Sequence, residues 1–160
     1  MKPDIDALLK LQQRDLRLQE LRKELERIPK ERELALGRLA QHEQAVEEAK
    51  AAVNENEVAI KNLELDVATR KETIARLKNQ QFETRKNEEY QALGHEVTRY
   101  SDEVDGLETR ELELMERGDQ LRSALAGAEA AHATNKAGVD EEIAALEKRA
   151  GNFSAEAQEL

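Results

Sequence analysis

The chain has 160 residues, of which 38% are charged and only 2% aromatic, and 35 acids against 25 bases give a formal charge of −10. With no cysteine, no tryptophan and two prolines, it lacks the rings of an ordinary globular core, the thiols for disulfides and the basic surplus of a general nucleic-acid binder. It has no apolar run long enough to span a membrane, and the opening MKPDIDALLKLQQRD carries acids where a secretory leader carries an apolar block, so a cytoplasmic location is expected.

What remains is the Ala/Leu/Glu/Lys/Arg mixture of long helices. The first element shows it as a seven-residue repeat. Stepping from Leu11 gives Leu18, Leu25, Arg32, Leu39, Val46, Val53, Ile60, Val67 and Ile74, with Arg32 the single polar member. A second column three residues on is mixed: Arg14, Leu21, Ile28, Ala35, His42, Ala49, Asn56, Leu63, Arg70 and Leu77. A sustained repeat of seven keeps one stripe of a helix facing a partner, which is the signature of a coiled coil. Pro29 falls inside this outgoing arm, residues 4–78. A proline in a helix interior removes a hydrogen bond and crowds the preceding turn, so a kink or brief break is expected near Ile28, with the same face buried on both sides.

The repeat stops after Leu77, and residues 79–87 are expected to form the tip of a reversal. Arg76 and Lys78 suit a last helical turn, and Asn87 followed by Glu88 and Glu89 reads as an N-cap with acids in the first turn. A returning arm, 88–150, carries Leu93, Tyr100, Leu107, Leu114 and Leu121, with Val97, Val104 and Leu125 between them. This column runs on through Ala128 and Asn135, then shifts by four to Val139, Leu146 and Phe153, a stutter that relaxes the supercoil. Gly151-Asn152 reads as a helix stop, leaving a tail at 151–160.

Laid antiparallel, the arms put Leu77 near Leu93, Val53 near Leu121 and the turn of Leu25 opposite that of Leu146. The expected fold class is therefore all-α: a single long helical hairpin, 1–160, with the first helix kinked near Pro29. At the helical rise each arm spans roughly 100 Å. The rival is one unbroken helix that dimerises, whose seam would have to cross a stretch with few apolar residues. In the hairpin register Arg70 can meet Asp102 or Glu103 and so favour one alignment.

Charge is uneven. Residues 70–86 hold six bases and two acids, whereas residues 101–160 hold six bases and fifteen acids. A basic tip with Phe82 and Tyr90 could dock on an acidic protein surface or a phosphate backbone, or the rings could plug the end of the seam. Chemistry is absent from the pattern. His42 and His132 reach one level of the seam, but a metal needs more ligands, and polar seam positions serve to set register. The scattered glycines form no phosphate loop, and Ser101, Ser123 and Ser154 belong to no triad. No cofactor and no enzyme activity are expected of this chain.

The stretch TRKNEEYQALGHEV, residues 84–97, resembles the NKEYQAL-type segment of bacterial C4-type zinc-ribbon proteins with a long coiled-coil region. The match lies at Asn87, Glu89, Tyr90, Gln91, Ala92 and Leu93, with Glu88 where that family often has lysine. LLKLQQRDLRLQEL, RIPKER and LETRELELMER add to it, so the resemblance is spread over most of the chain. It implies a kinked hairpin followed by a zinc ribbon with paired cysteines, and a role in flagellar or type III secretion regulation through an alternative sigma factor and secretion components. One type is linked to RNA binding. No cysteine occurs through Leu160, so zinc is expected only if the full-length protein carries a ribbon beyond it. The candidate partner surface is Arg85, Lys86, Asn87, Glu89, Tyr90, Gln91 and Leu93. The reading that follows is a non-enzymatic adaptor with a protein partner. Its alternatives are a nucleic-acid-binding regulator and a passive spacer or dimerisation rod, the last making a homodimer.

Overall fold

The computed structural model describes residues 2–160, and two helices account for nearly all of them. Helix α1 is Lys2–Glu83 and helix α2 is Asn87–Glu159. They pack against each other as an antiparallel hairpin. The polypeptide divides into two compact units, Met1–Val46 with Ala128–Leu160, and Glu47–Gly127.

The first unit buries Leu21, Ile28, Ala35 and Val46 of α1 against Val139 and Leu146 of α2. Leu21 and Ala35 have no exposed surface. Ion pairs flank this strip: Arg38 to Glu142 at 2.7 Å, Arg149 to Glu24 and to Glu31 at 3.5 Å each, and Arg17 to Glu156 at 2.8 Å. The hydrogen bond from Arg17 holds the Glu156 carboxyl below its ordinary range, and the bonds to Glu156 and Glu20 raise the Arg17 guanidinium above its own.

The second unit buries Val53, Asn56, Leu63, Val67 and Leu77 against Val104 and Gly118. The Asn56 side-chain amide donates to the Leu114 carbonyl at 3.0 Å. A Cβ on residue 118 would stand 2.7 Å from Asn56 Oδ1, so glycine is what makes room for the asparagine. Arg70 Nε donates to Glu103 at 2.9 Å, and Lys71 reaches Glu108 at 3.2 Å. The expected Arg70 pairing is thus present, with Glu103 as the partner.

Four expectations are corrected. First, of the kink or brief break expected near Ile28, the break does not occur: α1 is continuous helix through Pro29. Proline removes a single backbone donor, and burial of Ile28 and Ala35 on either side holds the helix across it. Second, α1 continues past Leu77 and Lys78 to Glu83, so its last turn has no base and Arg76 and Lys78 lie upstream of it. Third, the first helical bond of α2 runs from the Tyr90 amide to the Lys86 carbonyl at 3.0 Å, which makes Lys86 the N-cap and puts Asn87, Glu88 and Glu89 in the first turn. Fourth, α2 passes through Gly151-Asn152 to Glu159. No described glycine has positive φ, so none terminates a helix in the left-handed manner, and Phe153 and Ala157 remain half-buried beyond that point.

The stutter is present, and it has a counterpart that the column of apolar residues conceals. Covered positions on α2 run Asn135, Val139, Ile143, two consecutive steps of four, before the alternation of three and four resumes. On α1 the same double step runs Glu31, Ala35, Leu39. The approach of His132 to Glu43 at 3.7 Å marks the register in this unit. It places Ala35 level with the turn of Val139, so both helices relax together. Arg32, the polar member of its column, is turned to solvent there.

Candidate functional site

The reversal consists of Thr84, Arg85 and Lys86. The Thr84 amide still donates to the Gln80 carbonyl at 3.0 Å, closing α1, and none of the described residues has positive φ. Ordinary L-residues can therefore make this turn, which is why neither glycine nor proline marks it in the sequence.

Two side-chain bonds clamp the turn. The Thr84 hydroxyl donates to Glu89 Oε2 at 2.9 Å, and Gln81 Nε2 donates to the Tyr90 carbonyl at 3.1 Å. A Cβ at residue 94 would stand 3.1 Å from that same Gln81 nitrogen, so Gly94 leaves the amide its path between the helices. Gln81, Thr84 and Gly94 are outside the expected surface. The signal that could have found them is the polar Gln81 in a column otherwise occupied by seam residues.

The expected surface residues divide by exposure. Arg85, Lys86, Asn87, Glu89, Tyr90 and Gln91 are exposed, whereas Leu93 is half-buried at the end of the seam. Lys86 lies 3.9 Å from Glu89, and Arg85 makes no ion pair among the described residues. Arg85, Lys86, Asn87 and Tyr90 share with Thr84 a shallow depression of about 320 Å³. Glu89 and Leu93 join Gln80, Thr84 and Ala92 around another of about 410 Å³.

Phe82 settles a question that composition leaves open. It is 90% exposed, and Tyr90 is 51% exposed. Neither ring plugs the seam, whose last buried member on α1 is Leu77. A free phenyl group on a helix terminus is costly to leave in water and gains by being covered.

The histidines form no cluster. His132 Nε2 lies 3.7 Å from Glu43 Oε1, beyond hydrogen-bonding reach, and among the described residues no group of three or more His, Cys, Asp or Glu side chains could hold a metal. No helix of the described residues is long and apolar enough to cross a membrane.

The fold belongs to a recognisable structural class of helical hairpins. No protein-family model matches the chain, and no curated protein matches it. Among solved structures, the chain is similar to CT398 from Chlamydia trachomatis, determined at 2.12 Å, with a TM-score of 0.77 and 19% identity over 99% of this chain and 70% of that one. At that identity the likeness is one of fold.

Proposed function

We propose that this chain is a non-enzymatic adaptor that presents the clamped turn of its second unit to a protein partner. The observation that carries the reading is the exposure of both rings that flank the turn, Phe82 at 90% on the last turn of α1 and Tyr90 at 51% at the start of α2, with Arg85 unpaired in the turn between them in the chain. Aromatic and arginine side chains are the usual anchors of protein interfaces. The bases at 70–86 select a partner surface that is acidic around an apolar pocket. The resemblance at residues 84–97 supports a setting in transcription or in flagellar or type III secretion regulation, in the cytoplasm of a bacterium.

The test is photo-crosslinking in cells with p-benzoylphenylalanine at position 82, at position 90, and at Leu112. Leu112 is 67% exposed, so it serves as the control for an apolar side chain elsewhere in the same unit. One protein adduct from positions 82 and 90, lost on Arg85→Glu and absent from position 112, is the expected result. Equal adducts from all three positions, or adducts with nucleic acid alone, would refute the reading.

A further inference from the structure

In the second unit, the side of α1 turned away from α2 carries a repeat of its own. Besides Phe82, the large apolar side chains exposed on α1 in this unit are Val58 at 57% and Leu65 at 66%. Both fall on a line of exposed residues that steps by three and four: Asn54, Val58, Lys61, Leu65, Ala68, Glu72, Ala75 and Asn79. Such spacing is that of a helix seam, here with no helix lying on it.

Two copies of this line laid antiparallel match at every step. Val58 meets Ala75, Leu65 meets Ala68, Lys61 meets Glu72 and Asn54 meets Asn79. Each large side chain thus faces an alanine, and the two charges of the line face each other. The columns on either side agree: Glu57 comes beside Lys78, Glu64 beside Lys71, and Glu55 beside Arg76. Among the described residues, Lys71 alone of these charged groups has an ion pair within the chain, to Glu108 at 3.2 Å. The other charged residues of the stretch, Asp66 and Arg70, flank the seam with α2, where Arg70 is bonded to Glu103.

We infer that a second copy of this chain packs antiparallel on this face of α1, about a two-fold axis level with Val67, with Lys61 of each copy paired to Glu72 of the other. A two-fold interface is self-complementary, so each contact named above forms twice. The charges select this arrangement against its alternatives. A parallel pairing would stack Lys61 on Lys61 and Glu72 on Glu72. Sliding the antiparallel pair by one heptad would bring Lys71 against Lys71 in one direction and Glu64 against Glu64 in the other. Past Asn54 and Asn79 the flanks turn like against like, with Lys50 beside Arg85 and Glu48 beside Glu83. The match therefore ends short of the turn, and Phe82 stays with the surface proposed for the other partner.

Sedimentation equilibrium on the whole chain, over a concentration series up to the high micromolar range, tests this directly. A reversible species of twice 18.1 kDa is expected. Lys61→Glu and Glu72→Lys should each weaken association by about tenfold or more, since each reversal acts twice in the dimer. The combined exchange should restore it to within about threefold. Both sites are exposed, and unchanged circular dichroism would confirm that every variant folds. Direction is read by cross-linking, which the absence of native cysteine makes simple. Val58→Cys mixed with Ala75→Cys should form a disulfide-linked pair on mild oxidation, and neither variant should do so alone. A monomer at all concentrations, a dimer indifferent to single reversals, or a double exchange that fails to restore association would each overturn the inference. So would disulfides formed by either cysteine variant alone, because only a parallel pairing brings like positions together.

Discussion

Gly118→Ala is the most discriminating substitution in the second unit. In an open helix interior this change stabilises by up to about 1 kcal/mol, because alanine loses less backbone entropy than glycine. Here the new methyl carbon would lie 2.7 Å from Asn56 Oδ1 and 3.3 Å from Arg122 Nη1. The arginine can swing into solvent. Asn56 is only 7% exposed and is held by its bond to the Leu114 carbonyl, so moving it breaks that bond and leaves a buried amide unpaired. The cost is about 1–3 kcal/mol for the unpaired group, with overpacking of similar size. The clash outweighs the helix propensity, and a net loss of about 1–3 kcal/mol is expected, or several degrees in Tm for a chain of this length. Gly106→Ala is the control: nothing lies within 4 Å of its added carbon, and it should stabilise. In an Asn56→Ala background the sign at Gly118 should reverse, because the obstacle is gone. Thermal and urea melts followed at the helical circular-dichroism band compare the unchanged chain with the three single variants and the double variant. A Gly118→Ala variant as stable as Gly106→Ala would refute the reasoning.

Phe82→Ala should leave helicity unchanged and stability within about 0.5 kcal/mol, because the ring is almost wholly solvated; a larger loss in urea melts would mean that the ring caps the seam after all. Arg70→Ala and Glu103→Ala should each cost about 0.5–1 kcal/mol, with a double-mutant coupling no larger than that, since both side chains are about a third exposed and solvent screens the pair. The Glu156 carboxyl is held down by the hydrogen bond from Arg17. Its contribution to the first unit is therefore complete above the ordinary carboxylate range and lost as pH falls through the lowered folded value. Carboxyl-carbon NMR should find Glu156 titrating below a free glutamate and returning to it in Arg17→Ala; identical titrations in the two proteins would contradict the assignment.

The pairing of the helices is legible in the sequence because burial leaves a periodic mark. Apolar side chains every seven residues name the covered face, and the register follows once the two series are opposed, so Arg70 can be matched to Asp102 or Glu103 from residue types alone, and the geometry selects Glu103. The aliphatic column is nevertheless the weaker guide to the core. It begins with Leu11, 54% exposed, while the mixed column supplies Leu21, Ala35, Asn56 and Leu63 to the buried strip. Small and polar residues there mark close approach of the helices rather than weak packing. Helix ends are the least legible part. Bases at 76 and 78 suit a terminus, but the dipole term is a fraction of a kcal/mol to about 1 kcal/mol and cannot override continued backbone bonding. The glycine-asparagine pair near the C-terminus is likewise overridden by Phe153 and Ala157. At the candidate site the bases can be read from residue types, whereas the exposure of Phe82 and Tyr90 cannot, since a ring serves equally to cap the seam or to face solvent. The Gln81, Thr84 and Gly94 arrangement cannot, because it depends on which atoms the reversal brings together.

The fit of Asn56 against Gly118 has a bearing on how such a chain can change in length over evolutionary time. Inserting or deleting residues in one helix alone between this layer and the turn would bring the asparagine opposite a position bearing a side chain, where its amide has no room. Changes survive only when both helices gain or lose the same whole repeat. The hairpin is thus expected to grow and shrink in matched steps of seven, with the polar layer acting as the ruler against which each step is checked.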